Sequence, residues 1–263
     1  MIDLSVRREI ESRLDALERE EGCRILYACE SGSRAWGFPS TDSDYDVRFI
    51  YVRPADWYLS INVETKRDVI ERPIVDLIDL GGWDLRKALL LFAKTNPPLY
   101  EWLDSPILYR DDGRFAPAIR ALMSSFYSPI AAAYHYLRMA KRTESAYMQS
   151  ESVKLKKYFY TLRPLLAVRW IEQNRGPVPM LFSTLLTTIE DRPELRREID
   201  QLLVCKMAGE ELGDSKRNKT IDEFQRSEFE RLEGTVKSLP PSVGNQEDLN
   251  RLFRETIRGS FPG

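Results

Sequence analysis

One histidine, His135, and three cysteines are all that this chain of 263 residues offers for imidazole or thiolate chemistry. A Ser-His-Asp hydrolase would have to take His135 as its base, and a zinc site built on several histidines is excluded. His135 lies in Ala131-Ala132-Ala133-Tyr134-His135-Tyr136-Leu137, a predicted helix, and no Ser-bearing nucleophile elbow occurs anywhere, so it reads as a surface or packed residue. Cys23, Cys29 and Cys205 are odd in number and share no ligand spacing, which fits reduced thiols. Neither sign of charge dominates: 39 Lys and Arg stand against 41 Asp and Glu, a net charge of −2. No global field advertises nucleic acid, although a local basic cleft on a near-neutral protein suffices to hold a strand. No run of 18 apolar residues occurs and Met1-Ile2-Asp3-Leu4-Ser5 opens no apolar signal core, so no membrane association is expected and the expected compartment is the cytoplasm.

What is present concentrates in one stretch. Ser43-Asp44-Tyr45-Asp46 follows Gly32-Ser33 by ten residues and leads into Val47-Arg48-Phe49-Ile50-Tyr51-Val52, whose β-branched and aromatic residues predict a strand. Strand side chains alternate, so Asp44 and Asp46 share one face while Tyr45, Val47 and Phe49 take the other. Two hard oxygen donors on one surface suit Mg²⁺, which prefers oxygen ligands and keeps waters and substrate phosphates for the rest of its shell. The preceding strand, Ile25-Leu26-Tyr27-Ala28-Cys29, runs into Glu30-Ser31-Gly32-Ser33. Glycine there permits close backbone approach to a phosphate, and the serine hydroxyl with neighbouring N–H groups can cradle it. Either half alone reads as a polar turn. Together they describe a nucleotidyl-transfer site.

This order of strand, Gly-Ser, short polar loop and Asp-x-Asp resembles the DNA polymerase β-like nucleotidyltransferase superfamily. The strings Gly32-Ser33-Arg34-Ala35-Trp36-Gly37-Phe38 and Ser43 through Tyr51 resemble its RNA-repair-pathway branch. The resemblance implies two Mg²⁺ ions on Asp44, Asp46 and a third acid from a neighbouring strand. Ile74-Val75-Asp76-Leu77-Ile78-Asp79-Leu80 offers two candidates. Three positions apart on a regular strand, Asp76 and Asp79 face opposite sides, so only one can meet Asp44 and Asp46. The apolar-Asp-apolar pattern fits both. The stretch Asp79 through Leu91 resembles the family's acid followed by its helix, which favours Asp79 and leaves Asp76 as the alternative.

Along the chain, Val6, Ile10, Leu14 and Leu17 predict an amphipathic helix over residues 4–20, ended by Gly22. A strand at 24–30 and the acidic strand follow, then a break at Pro54-Ala55-Asp56 and a strand from Ile70 to Leu80 with Pro73 near its start. Gly81-Gly82 reads as a turn, and Trp83 to Lys94 as a helix stopped by Asn96-Pro97-Pro98, with a short helix from Leu99 to Leu103. From Phe115 strands nearly vanish: helices are predicted at 115–124, 129–142, 151–174, 179–190, 193–208, 221–238 and 246–258, with a polar loop from Gly209 to Asn218. The expected class is α+β. A small mixed sheet backed by helices occupies residues 1–112, by resemblance the nucleotidyltransferase domain, and an all-α domain over 113–263 contributes to nucleotide and acceptor binding.

In the helix from Glu151 to Asn174, Leu155, Phe159, Leu162 and Leu166 form a buried stripe, and Lys156, Tyr160 and Arg163 share another face. Two cations around an aromatic ring suit a triphosphate and a base, since Arg gives bidentate phosphate contacts and Tyr stacks. An ordinary solvated face fits the spacing equally well. The string Val153 through Leu166 resembles the RNA-repair branch, which favours nucleotide binding by Lys156, Tyr160 and Arg163 together with Gly32 and Ser33. Pro164 inside the helix is expected to kink it. Trp36 reads as a packing residue.

The expected function is metal-dependent transfer of a nucleoside monophosphate from an NTP to a hydroxyl, by resemblance on an RNA end, a damaged tRNA being one case. The alternatives are a protein side chain or antibiotic as acceptor, or a catalytically silent RNA-binding relative. An RNA enzyme is expected to carry Lys141, Arg142, Lys154 and Lys156 as a continuous track.

Overall fold

The computed structural model describes residues 2–147, 152–209, 214–235, 239–240 and 242–261. Helix α1 (Leu4–Glu21) forms where the sequence predicts it: Asp3 caps its start, Gly22 ends it in the left-handed region, and Ile10, Leu14 and Leu17 are buried. The chain continues through β1 (Arg24–Glu30), α2 (Gly32–Trp36), β2 (Tyr45–Val52), α3 (Ala55–Tyr58), β3 (Val69–Glu71), β4 (Ile78–Asp84), α4 (Leu85–Ala93), α5 (Pro97–Leu103) and β5 (Leu108–Asp111). These strands make one mixed sheet in the order β3-β4-β2-β1-β5, in which β2 and β4 run parallel and the other pairs antiparallel. The α+β class is as expected. Val47, Phe49 and Tyr51 of β2 pack under α1, while Ile50 and Val52 point to the opposite face, covered by α4 and α5. Strand alternation thus sets which face Asp46 and Arg48 belong to.

Three local readings are corrected. Gly81-Gly82 is not a turn but the middle of β4, opposite Arg48 and Phe49. A Cβ on Gly82 would stand 2.1 Å from the Phe49 ring, so glycine there makes room for a neighbouring side chain rather than for a bend. Ile70 to Leu80 is not one strand: β3 and β4 are separate, joined by a turn in which Asp76 and Leu77 have positive φ. The helix predicted from Trp83 begins only at Leu85, with Asp84 as its cap accepting from the Arg86 N–H at 2.8 Å. β5 went unpredicted, because a four-residue edge strand owes its form to pairing with β1 rather than to local pattern.

Beyond it lie α6 (Phe115–Ala121), α7 (Met123–Phe126), α8 (Pro129–Tyr147), β6 (Ser152–Lys154), α9 (Leu155–Glu172), α10 (Phe182–Leu185), α11 (Pro193–Met207), β7 (Asp214–Lys216), α12 (Lys219–Thr235) and α13 (Gln246–Ser260). Helix α9 starts at Leu155, because the preceding residues pair with β7 instead. The rest of that expected start, at Glu151, lies outside the described residues, as does part of the Gly209–Asn218 stretch; Asp214–Lys216 within it is strand rather than loop. The helical core centres on Leu155, Phe159, Leu162 and Leu166, the predicted stripe. Packing crosses the expected boundary at 112–113: Leu249 and Leu252 of α13 and Phe115 and Ile119 of α6 share a core with Leu26, Ile50 and Phe92.

Candidate active site

The site begins where β1 ends. The Ser31 N–H donates to the Asp46 carbonyl at 2.8 Å, which ties the exit of β1 to the start of β2. Gly32 follows with φ +59, and a Cβ there would collide with Asp46 Oδ2, so this glycine gives room to a carboxylate. After α2 the loop is held by its own hydroxyls: Ser33 Oγ donates to Ser43 Oγ at 3.1 Å, and the Ser40 N–H to Ser43 Oγ at 2.9 Å. Arg34 donates to the carbonyls of Ser43 and Asp44 at 2.6 and 3.1 Å and lies 3.9 Å over the Tyr45 ring. Asp44 and Asp46 therefore leave a pinned segment.

Behind Asp46 stands Glu30, fully buried, accepting from the Asp46 N–H at 3.0 Å and from the Tyr109 hydroxyl at 2.5 Å. Burial pushes the Glu30 carboxyl up to about 7, against the pull of its hydrogen bonds. The Asp46 carboxyl is also raised, first by burial, with the negative charges of Asp79 and Asp44 adding to it and Arg48 opposing.

The two candidates for the third acid separate cleanly. Asp79 is directly opposite Asp46 in the parallel β2–β4 register. Asp76 sits in the turn before β4, exposed, paired with Arg13 at 2.7 Å. Arg48 joins the two strand acids: its Nη2 donates to Asp46 Oδ1 at 2.9 Å and to Asp79 Oδ2 at 2.6 Å.

Asp44, Asp46, Gly32 and Ser33 line a cleft of about 560 Å³ whose far wall is Lys156, Phe159, Tyr160, Arg163 and Pro164 of α9. The helix face read from the sequence and the acidic strand thus meet across one space. Residues 6–255 match the RNA repair pathway DNA polymerase beta family. The chain belongs to that family. It is 47% identical over 253 residues to the uncharacterized protein YcgL of Bacillus subtilis (strain 168), an alignment that covers 96% of each chain. Among solved structures it is similar to a nucleotidyltransferase-like protein from Exiguobacterium sibiricum 255-15, at 12% identity and a TM-score of 0.32, over 95% of this chain and 80% of that one.

In this member of the RNA repair pathway polymerase β family, the cleft's helical wall departs from expectation in one respect. Arg163 lines the cleft, yet it is 3% exposed and its guanidinium is committed to Glu101 at 2.8 Å and to the carbonyls of Pro179 and Met180. The Tyr136 hydroxyl donates to the same Glu101 oxygen. Tyr160 is 43% exposed and meets Trp36 edge to face, with ring centroids 6.1 Å apart. Trp36, for which packing is the expectation preferred over base stacking, packs against both cores, lines the cleft and lies against the Arg163 guanidinium at 4.7 Å. Lys206, a buried cation near the end of α11, lines the cleft too and lies beyond the stretch where any motif pointed. No periodicity distinguishes such a residue from its neighbours, because only tertiary packing brings α11 to the loop after α2.

The expected basic track is divided. Lys156 faces the acidic cleft, whereas Lys141 and Arg142 of α8 line a second cleft with Arg217 and Arg226. The Lys154 side chain lies outside the described residues. His135 is half-buried on α8, and desolvation lowers its pKa, in keeping with a packing role.

The donors suit a hard cation on one side of the site. Asp44 and Asp46 both line the cleft and could offer it carboxylate oxygens. The Asp79 side is different, because Arg48 holds that carboxylate. Among the described residues no group of three or more His, Cys, Asp or Glu side chains is gathered closely enough to enclose an ion.

Proposed function

We propose that this protein transfers a nucleoside monophosphate from an NTP to a hydroxyl acceptor and releases pyrophosphate. The observation that carries the reading is the meeting of Asp44 and Asp46 with Lys156 and Tyr160 across one cleft. A divalent cation, with Mg²⁺ as the fitting choice, would be held by Asp44 and Asp46, with the strand acid Asp79 beside them, and would offset charge on the reacting phosphates. Lys156 gives the triphosphate a cationic partner, and the exposed Tyr160 ring beside Trp36 gives the base a stacking surface. Ser33 and the hydroxyl-bound loop hold Asp44 and Asp46 at fixed positions relative to that nucleotide. The protein's own contribution is positioning and charge neutralisation rather than covalent work.

An RNA end is the acceptor this reading favours. The family's description names RNA repair, and α8, which lends Met139 and Thr143 to the first cleft, carries Arg142 on a second cleft together with Arg226. A cytoplasmic setting belongs to the same proposal, in keeping with Cys23 and Cys29, which are buried thiols in no disulfide. The test is incubation with each α-labelled NTP, Mg²⁺ and total RNA, followed by nuclease and protease digestion of the product. Nuclease-sensitive label supports an RNA acceptor. Protease-sensitive label would turn the reading to protein modification, and the absence of label in every arm would contradict nucleotidyl transfer.

A further inference from the structure

The Arg48 guanidinium makes four contacts beside the acidic strand, and the proposed reaction gives it no role. Its four contacts are all to acceptors of the two parallel strands. Nη2 reaches Asp46 Oδ1 and Asp79 Oδ2 at 2.9 and 2.6 Å, while Nη1 reaches the carbonyls of Asp79 and Val47 at 3.1 and 3.2 Å. The strand beneath makes space for it: Gly81 lies opposite Arg48, and a Cβ at Gly81 would come within 3.4 Å of Nη1. Both carboxylates in this pairing are largely covered, at 30% and 28% exposed, as is Arg48 at 22%. Charge-assisted bonds in such a setting are strong, and a guanidinium does not lose its proton at any ordinary pH.

Asp46 divides its oxygens between two directions. Oδ1 is given to Arg48, while Oδ2 lies against Gly32, and both Gly32 and Asp46 line the cleft. Asp44 opens on the same cleft; Asp79 is not among its lining residues. One side of the acidic site thus faces the nucleotide cleft with carboxylate oxygens, and the other side already contains a fixed positive charge.

We infer that Arg48 is the resident cation of the Asp46–Asp79 corner, so that the site takes one divalent ion, on Asp44 and Asp46, instead of two. This rests on the nucleotidyl-transfer reading above. Asp79 then acts through Arg48 as a positioning residue, holding the guanidinium in place. A second ion at this corner would have to compete with the guanidinium for both carboxylates and sit beside that positive charge.

The experiment counts Mn²⁺ ions bound to the full chain by equilibrium dialysis and electron paramagnetic resonance, with and without a non-hydrolysable NTP analogue. Wild type is expected to bind one ion at saturation, and Asp79→Asn also one. Asp46→Asn should weaken that ion by roughly tenfold or more. Arg48→Gln, confirmed as folded by circular dichroism, should take a second ion, and adding Asp79→Asn to it should return the count to one. Two ions on the wild type, one of them lost in Asp79→Asn, would overturn the inference and leave nucleotidyl transfer standing, as would a folded Arg48→Gln that still binds only one. A wild type that binds no Mn²⁺ in any arm would overturn both readings.

Discussion

Asp46 and Asp79 stand opposite each other in the parallel register of β2 and β4, with the Arg48 guanidinium joining their carboxylates. Asp76, three residues earlier, pairs with Arg13 on the surface. Asp79→Asn is therefore expected to lower transfer by roughly a hundredfold or more, whereas Asp76→Asn should stay within about twofold. Steady-state rates with a labelled NTP measure both. The reverse order would contradict a role in transfer for the strand acid opposite Asp46 and assign it to Asp76.

Glu30 should make stability depend on pH. Burial pushes its carboxyl from an ordinary 4.5 up to about 7, so the folded state holds the proton more tightly than the unfolded one. Stability from this group is complete below about pH 4.5 and is lost as pH rises through about 7, by about 3 kcal/mol at most. Glu30→Gln keeps the shape without the charge, and should gain on the wild type between pH 5 and pH 8. Urea unfolding at the two pH values gives the comparison; a constant difference between variant and wild type would rule out the buried ionisation.

Arg163 is expected to matter first for folding. Arg163→Ala would leave Glu101 buried with the Tyr136 hydroxyl as its remaining side-chain partner, a loss of about 3–5 kcal/mol. Arg163→Met combined with Glu101→Gln removes both charges and should recover most of it. Thermal melts of the single and double variants decide this. A stable Arg163→Ala with a raised KM for NTP would instead make Arg163 a phosphate ligand.

Tyr160→Ala should raise the KM for NTP roughly tenfold, since stacking of one base on an aromatic ring is worth about 1–3 kcal/mol. Tyr160→Phe keeps the ring and should stay close to wild type. Equal losses in the two would assign the effect to the hydroxyl.

The parts of the site that were legible in sequence obey simple periods. Alternation on β2 separated Asp46 from Val47 and Phe49, and the helical repeat brought Lys156 and Tyr160 to one face of α9. Arg48 obeys the same alternation, yet its role depended on the register with β4, which no local pattern supplies. Glu30 reads as the polar end of a strand, and only Tyr109 on the unpredicted β5 shows that it is enclosed. Gly82 misled for a related reason: a glycine that accommodates a ring across the strand looks, in sequence, like one that bends the chain. The return of α13 onto the sheet face is likewise set by long-range packing alone.

The most direct test of the account is the rate of label transfer from an α-labelled NTP by Asp46→Asn, measured beside the wild type with Mg²⁺. Asn preserves the shape and one oxygen acceptor for Arg48 but removes the charge that faces the cleft. The variant is expected to fold, to be at least as heat-stable without metal because a raised carboxyl has been relieved, and to turn over more slowly by roughly a hundredfold or more. Turnover near the wild-type value in that variant would contradict a nucleotidyl-transfer site built on Asp44 and Asp46.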